Sequence, residues 1–217
     1  LLNTGRYFMQ NALPRIPLGR PKTLDRDHII KVAMESYWRD GPTAVSVNEI
    51  CRRAGVSKPG LYREFGNEDG LRSTVVQTYE LVVLSQLYQI FEGDQPFDDA
   101  LAALTDLVLQ DRQKMDLPLG CLLQKMRGCR KELGPKTNDV IDATSIGTHS
   151  RLKDWVERAK HNGQLSEDIS TKTAAIYIDA QVSSAIMMQE TGASKTQISE
   201  FLNIVSKLNL THPGIYF

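Results

Sequence analysis

The sequence lacks several features that would define a broad protein class. It has three cysteines in 217 residues, an odd number without a Cys-x-x-Cys pair, so neither a disulfide framework nor a structural zinc site is predicted. No apolar run reaches the ~18 residues that a membrane-spanning helix needs, and residues 1–10 are too short and polar for a secretory signal peptide. We therefore expect a cytoplasmic protein without a membrane partner.

Enzyme signatures are also missing. The sequence has no Gly-x-Ser-x-Gly element, phosphate-binding loop or dinucleotide-binding fingerprint, and we predict no catalytic residue, metal site or cofactor.

Lysine plus arginine and aspartate plus glutamate both number 26, so the net charge alone does not indicate a nucleic-acid partner. Hydrophobic residues make up 41% and charged residues 24%, which is typical of a folded globular chain.

Positive charge is nevertheless concentrated at the beginning of the sequence, where four cations and no acidic residue precede Asp25. The cations are Arg6, Arg15, Arg20 and Lys22. Prolines and glycines interrupt this stretch, so residues 1–23 are predicted to form a flexible basic arm. The arm is either a solvated terminus or a segment that contacts phosphate groups.

Apolar residues recur every three or four positions along most of the remaining sequence, which predicts helices. No stretch has convincing strand character, so we expect an all-α fold. Capping residues, glycines and prolines set the boundaries. The predicted helices cover residues 24–40, 46–54, 58–65, 68–92, 97–114, 119–133, 136–161, 171–189 and 195–208.

The most specific pattern is a glycine turn between two short helices. Ser46 and Glu49 form a predicted capping box, Gly55 ends the first short helix in a left-handed conformation, and Ser57 caps the second. Two such helices form a helix-turn-helix, whose second helix fits the major groove of DNA, although a generic corner of two helices has the same spacing.

This region resembles the DNA-binding domain of the TetR/AcrR family of transcriptional regulators over residues 26–71, about a fifth of the chain. The motifs that carry the resemblance are Ala54-Gly55-Val56-Ser57, Leu61-Tyr62 and Phe65-Gly66-Asn67-Glu68. The resemblance implies a homodimer with an N-terminal three-helix helix-turn-helix DNA-binding domain and a C-terminal helical ligand-binding and dimerisation domain. We assign residues 1–23 to the arm, 24–70 to the DNA-binding domain and 71–217 to the ligand-binding and dimerisation domain.

The resemblance and the side-chain chemistry suggest roles on the second short helix. By its place in the family pattern, Tyr62 is a phosphate contact, with a core aromatic as the alternative. Lys58 lies in the first turn, where a cation reaches phosphate or guanine, and Gly60 would let the backbone approach DNA. Arg63 and Glu64 can read guanine and cytosine, respectively. Many relatives carry an aromatic residue and then His at these two positions, so the operator should differ.

The preceding helix adds three candidate DNA contacts. Ser46 is predicted to bond a phosphate, Asn48 to reach a base edge and Arg52 to face the DNA backbone. Glu68 stands where relatives usually carry a Lys that binds phosphate, which weakens that contact unless the basic arm compensates. An ordinary solvated surface is the alternative for each of these residues.

The C-terminal half carries a weaker signal. Four residues are predicted to line an effector pocket, with simple core packing as the alternative and, for Cys121, the sensing of oxidants as a further one. They are Cys121, Met126, Trp155 and Met187. The last two helices are predicted to form a four-helix dimer interface. Its residues are Ile178, Val182, Ala185, Ile186, Ile198, Phe201, Leu202, Val205 and Leu208.

Together these features predict a sequence-specific transcriptional regulator, and most directly a homodimeric repressor. It would bind a palindromic operator in double-stranded DNA and leave it when a small-molecule effector of unknown identity binds. The alternatives are a transcriptional activator, a DNA-binding family member without an effector, and an unrecognised enzyme activity in the C-terminal half.

Overall fold

The protein is described by a computed structural model that covers residues 24–203 except 113 and 115. This part of the chain consists of α-helices with no strand. The helices are α1 (Arg26–Asp40), α2 (Val47–Ala54), α3 (Lys58–Phe65), α4 (Glu68–Tyr79), α5 (Ser85–Glu92), α6 (Phe97–Leu109), α7 (Leu122–Gly128), α8 (Pro135–His161), α9 (Thr171–Glu190) and α10 (Lys195–Leu202). A π-helical turn, Glu80–Leu84, joins α4 to α5. None of the described helices is long and apolar enough to cross a membrane. The predicted arm, residues 1–23, and the predicted interface residues Val205 and Leu208 lie outside the described residues.

Two predicted helices are shorter in the structure than in the prediction. The helix predicted over residues 97–114 ends at Leu109, because Gln110 leaves the helical conformation (φ −52°, ψ 140°). The helix predicted over residues 119–133 begins only after the extended residue Cys121, and a separate 3₁₀ turn, Arg130–Glu132, follows it. The other predicted helix boundaries within the described range agree to within about two residues, a normal uncertainty for helix ends.

Local capping explains the helix-turn-helix geometry. The Ser46 hydroxyl accepts a hydrogen bond from Glu49 N at 3.2 Å, and the Ser57 hydroxyl accepts one from Gly60 N at 3.2 Å. Gly55 adopts the left-handed conformation (φ 66°, ψ 32°) that glycine tolerates without strain. The predicted capping box is only half present, because the Glu49 carboxylate binds arginines of α2 instead of returning to the backbone of Ser46.

The first three helices share one hydrophobic core with helices that follow them. Ile29, Ile50 and Leu61 are fully buried in this core, and Met126 of α7 and Ile141 of α8 belong to it as well. The predicted domain boundary after residue 70 falls within the first turn of α4. The helix-turn-helix unit is therefore packed directly against the rest of the chain.

A carboxylate of α4 holds the beginning of α8. Asp69 accepts hydrogen bonds from the backbone amides of Lys136 and Thr137, each at 3.0 Å, and from the Thr137 hydroxyl at 2.6 Å. Burial acts to raise the pKa of Asp69, but the hydrogen bonds from Thr137 and Lys136 outweigh it and lower the pKa below its ordinary value. Because the carboxylate caps free amides at a helix N-terminus, it fixes α8 against α4.

Two further cores lie in the C-terminal half. Trp155 stacks on Phe91 and Phe97, with ring centroids 5.3 and 4.6 Å apart, between α5, α6, α8 and α9. A smaller core joins α6, α9 and α10. Several residues predicted for the dimer interface are buried in these cores of the chain itself. They are Ile178, Ala185, Ile198 and Leu202. This part of the interface prediction is wrong, because the apolar face of α9 and α10 packs within the chain.

Candidate nucleic-acid interface and effector cavity

The adjacent helices α2 and α3 present an exposed polar surface. Most of the residues predicted to contact DNA have exposed side chains there. These residues are Ser46, Asn48, Arg52, Lys58, Arg63 and Glu64. The N-terminus of α3 carries no acidic residue in its first turn. The helix end and its lysine therefore offer a local positive potential to a phosphate.

Lys58 and Tyr62 contact each other one turn apart on α3. Lys58 Nζ lies 5.4 Å from the centroid of the Tyr62 ring, within the range of a cation–π interaction. The Tyr62 ring is half-buried and also packs against the first core. The packing supports a role of the ring in the core, whereas the contact of Tyr62 with phosphate stays a prediction.

Arg63 and Glu64 differ in their surroundings. Glu64 pairs with Arg26 of α1, with 3.1 Å between Arg26 Nε and Glu64 Oε1, and the same guanidinium lies 5.4 Å from the Phe65 ring centroid. Arg63 forms no ion pair within the described part of the chain. Arg26 was absent from the sequence-based set, because its contact with α3 depends on how α1 packs.

Glu49 binds both arginines at the end of α2. Its oxygens lie 2.7 and 2.8 Å from Arg52, and 2.8 Å from Arg53 Nε. Hydrogen bonds from Arg52 and Arg53 lower the pKa of Glu49 to about 2. Arg53 also bonds Asp40 of α1 at 2.7 Å, so it joins two helices. Arg52 is thus held on the exposed surface, and a contact with phosphate would compete with Glu49.

Glycines bring backbone segments close together in this unit. Gly60 is buried, and a Cβ atom placed there would lie 3.1 Å from Leu24 Cδ1 and Ser57 Oγ. The structure therefore explains Gly60 by packing within the protein, whereas an approach of its backbone to DNA stays a prediction. At Gly70, a Cβ atom would overlap the carbonyl oxygen of Phe65, the last residue of α3. The missing side chain of Gly70 thus allows α3 and α4 to meet.

The predicted effect of Glu68 is moderated by an ion pair. Its carboxylate lies 2.7 Å from Arg72 Nη2, one turn further along α4. The same guanidinium nitrogen donates to the carbonyl oxygen of Pro42 at 3.0 Å. Glu68 is therefore a paired anion whose charge is partly neutralised before any DNA approaches.

An apolar cavity of about 160 Å³ lies where α1 meets the C-terminal helices. Met34 and Trp38 of α1 form part of its wall, so the helix-turn-helix unit contributes directly to the cavity. Other lining residues come from α4, the π-helical turn, α5, α6, α9 and the segment before α7. Those used below are Tyr79, Val83, Leu104, Val108, Arg112 and Cys121.

Three elements meet at Trp38. Its ring packs edge-on against Tyr79 of α4, with centroids 5.0 Å apart, and its Nε1 donates to the carbonyl oxygen of Gly120 at 3.0 Å. The Tyr79 hydroxyl lies 3.5 Å from Cys121 Sγ. Burial raises the pKa of Tyr79 well above its ordinary value, so the phenol is neutral at physiological pH. The cavity wall therefore connects α1, α4 and the beginning of α7.

Of the four residues predicted to line a pocket, Cys121 lies at this cavity. The other three lie elsewhere in the described structure. Met126 is buried in the first core, Trp155 lies between Phe91 and Phe97, and Met187 is 58% exposed on α9. Periodicity identifies apolar faces but does not reveal which faces enclose a cavity. Sequence analysis also missed Trp38 and Arg112, which have no local motif.

Comparison with known proteins connects this architecture to a family. The family model "Bacterial regulatory proteins, tetR family" matches residues 29–75, from α1 into α4. The HTH-type transcriptional repressor ComR of Escherichia coli (strain K12) is 24% identical over 195 residues, which cover 88% of this chain and 91% of ComR. The HTH-type transcriptional repressor BdcR of the same organism is 33% identical over 144 residues, which cover 66% of this chain and 71% of BdcR.

A solved structure has the same fold. Regulatory protein TetR from Rhodobacter sphaeroides has a TM-score of 0.75 with this chain at 19% identity, over 85% of this chain and 98% of that protein. The predicted all-α fold with an N-terminal helix-turn-helix and a C-terminal helical domain is thereby confirmed. The family consists of DNA-binding transcriptional regulators and is not an enzyme class. The sequence relatives and the family model show that the chain belongs to the TetR family of bacterial regulatory proteins.

Proposed function

We propose that this TetR-family protein is a homodimeric repressor that a small effector releases from a palindromic operator. The observation that carries the proposal is the cavity wall, in which Met34 and Trp38 belong to the helix-turn-helix unit itself. A molecule that fills the cavity contacts α1 directly. The names of ComR and BdcR, both repressors, support repression as the direction of regulation. In this proposal, residues 24–70 bind DNA, and residues 71–217 dimerise and supply the rest of the effector cavity.

Helix α4 provides the connection between effector and DNA. Gly70 near its beginning contacts the end of α3, and Tyr79 at its end lines the cavity. These two residues lie about 13 Å apart along a helix with a rise of 1.5 Å per residue. An effector that displaces Tyr79 and Trp38 would shift α4 and therefore α3. The α3 helices of the two protomers then no longer fit half-sites that lie one helical turn of DNA apart.

The DNA contacts in this proposal divide into positioning and reading contacts. Lys58, Ser46, Arg52 and Tyr62 hold phosphates, because their polar groups lie on or beside the exposed surface of α2 and α3. The side chains that would read base edges are Asn48, Arg63 and Glu64. Gly60 acts indirectly, by letting Leu24 pack against α3.

Selection of DNA from a randomised library tests the proposal, together with two substitutions. Lys58→Ala should weaken binding to all sequences alike, because one phosphate contact is lost. For the same reason, the slope of the logarithm of the binding constant against the logarithm of the salt concentration (the salt slope) should decrease in magnitude by about one. Arg63→Ala should relax the preference at one or two base pairs, at a cost of about 1–3 kcal/mol for a bidentate guanine contact. The measurement is operator affinity as a function of salt and of single base changes.

A matched control is Lys153→Ala, which removes the same charge from an exposed position on α8. We expect its affinity and salt slope to equal those of the wild type. Enrichment of a palindrome by the wild-type protein supports the dimeric repressor. Failure to enrich any motif at low salt, or equal losses on specific and random DNA for Arg63→Ala, would contradict sequence-specific binding by α3.

The dimer is proposed to form through the exposed face of α9. Ile176 and Met187 are 51% and 58% exposed, and Ala180 and Ser183 lie between them on the same face. Their spacing of four, three and four residues forms one stripe along the helix. Because Ala180 and Ser183 are small, two copies of this face can approach closely. TetR-family regulators are typically dimers, which supports this use of the surface.

Ala180→Arg should convert the dimer into a monomer, because it places a large charge at the middle of this face. Sedimentation equilibrium should show at least a tenfold weaker self-association, since burying an unpaired charge costs several kcal/mol. Ala102→Arg, at an exposed position of α6, is the control and should leave the dimer intact. An unchanged dimer in Ala180→Arg would place the interface elsewhere.

A further inference from the structure

The effector cavity contains an unbalanced charge. Among the described residues that line it, Arg112 carries the only charge, and the others are apolar or neutral polar groups. A guanidinium stays protonated at any physiological pH. A guanidinium that is partly removed from water is stabilised by an anion that accepts its hydrogen bonds, so an anion suits this cavity.

The surroundings of Arg112 provide no such counter-ion within the described chain. The carboxylate of Asp111 lies 3.3 Å from Lys114 Nζ. The carboxylate of Asp116 lies 3.9 Å from Arg39 Nη2, so both carboxylates pair with other cations. The Nε atom of Arg112 is buried and has no hydrogen-bond acceptor in the described structure. Its guanidinium carbon lies 5.6 Å from the centroid of the Trp38 ring. One edge of the guanidinium is thus left to bond a ligand.

The rest of the cavity sets the size and character of that ligand. Its volume of about 160 Å³ is close to the roughly 150 Å³ of an apolar protein cavity that holds benzene. Side chains such as Met34, Val83, Leu104 and Val108 supply apolar walls. Arg112 is itself partly exposed, so it lies at the mouth of the cavity. A compact apolar body therefore fits inside, with its charged group towards solvent.

We propose that the cavity binds small carboxylic acids with an apolar body of about one ring, and that Arg112 determines this specificity. The carboxylate accepts two hydrogen bonds from the guanidinium, a geometry that arginine favours. This inference rests on the proposed function, since it names the class of the effector. It also supplies a route to DNA, because an anion that binds Arg112 alters its contact with Trp38 of α1.

Calorimetric titration of the full chain with benzoate and with benzyl alcohol tests the inference. The two probes share a ring and differ in the charge of the head group. We expect the wild type to bind benzoate at least tenfold more tightly. Arg112→Gln should weaken benzoate binding by about 10- to 100-fold, which is the effect of one charged hydrogen-bonding group. Binding of benzyl alcohol should stay within about twofold, which shows that the variant remains folded.

Lys114→Gln is the matched control, because Lys114 is a nearby exposed cation that does not line the cavity. It should bind benzoate like the wild type. Equal affinity for both probes, no binding of either, or unchanged benzoate affinity in Arg112→Gln would overturn the inference.

Operator release, measured with the same two probes, separates this inference from the proposed function. Benzoate that binds through Arg112 without releasing operator DNA supports the ligand class and contradicts the proposed effector response. Release by benzyl alcohol but not by benzoate supports the effector response and overturns the ligand class. Release by benzoate that is lost in Arg112→Gln supports both.

Discussion

Gly70→Ala is expected to abolish operator binding and to lower the free energy of unfolding by about 3 kcal/mol, the upper part of the usual range for overpacking. A Cβ atom at this position would overlap the carbonyl oxygen of Phe65. That oxygen belongs to the backbone, so no change of rotamer can relieve the overlap. The end of α3 must instead move away from α4, which displaces the exposed surface of α2 and α3 that we propose binds DNA.

Gly128→Ala is the control for this substitution. Gly128 is the last residue of α7, and a Cβ atom placed there meets no other atom within 4 Å. Alanine has the higher helix propensity, so this variant should be as stable as the wild type or slightly more stable. Chemical denaturation and operator titration provide the two measurements. Wild-type affinity for the operator in Gly70→Ala would show that the contact between α3 and α4 does not position α3 for DNA binding.

Trp38→Ala should lower the free energy of unfolding by about 3–5 kcal/mol, as is usual when a fully buried large aromatic side chain is removed. Trp38 is 1% exposed, and its loss removes the packing on Tyr79 and leaves the carbonyl oxygen of Gly120 without its donor. Because Trp38 also lines the cavity, any effector response should disappear with it. Denaturation with urea, followed by circular dichroism, measures the loss of stability.

Leu81→Ala removes another large apolar side chain, but from a position that is 76% exposed. Its stability should change by less than about 0.5 kcal/mol, as expected for a surface substitution. A loss below 1 kcal/mol in Trp38→Ala would mean that the cavity wall rearranges around the missing ring. In that case Trp38 would not hold α1 against α4 and the segment before α7.

The features that sequence analysis predicted correctly are mainly local. Ser46 and Ser57 cap their helices through hydrogen bonds to residues three positions away, so a short window contains the whole interaction. The left-handed turn at Gly55 is equally local. The family pattern adds the helix-turn-helix, because the same few residues provide the caps, the turn and the packing between the helices.

The features that escaped prediction join distant parts of the chain. Trp38 bonds a carbonyl group 82 residues away, and Asp69 caps a helix that begins more than 60 residues later. Arg112 enters the cavity because α6 ends at Leu109, earlier than the apolar periodicity indicates. Which residues of α9 and α10 are buried within the chain also depends on tertiary packing, and for this reason Ile178, Ala185, Ile198 and Leu202 were wrongly predicted for the dimer interface.

The continuity of α8 has a thermodynamic consequence. This helix of 27 residues contributes Ile141 to the core of the helix-turn-helix unit and Trp155 to the core around Phe91 and Phe97. Because one helix packs into both cores, loosening of one core is expected to weaken the other, which favours cooperative unfolding of the two halves. Any free energy that the proposed effector adds at the cavity would thereby be shared with α2 and α3, the helices that we propose bind DNA.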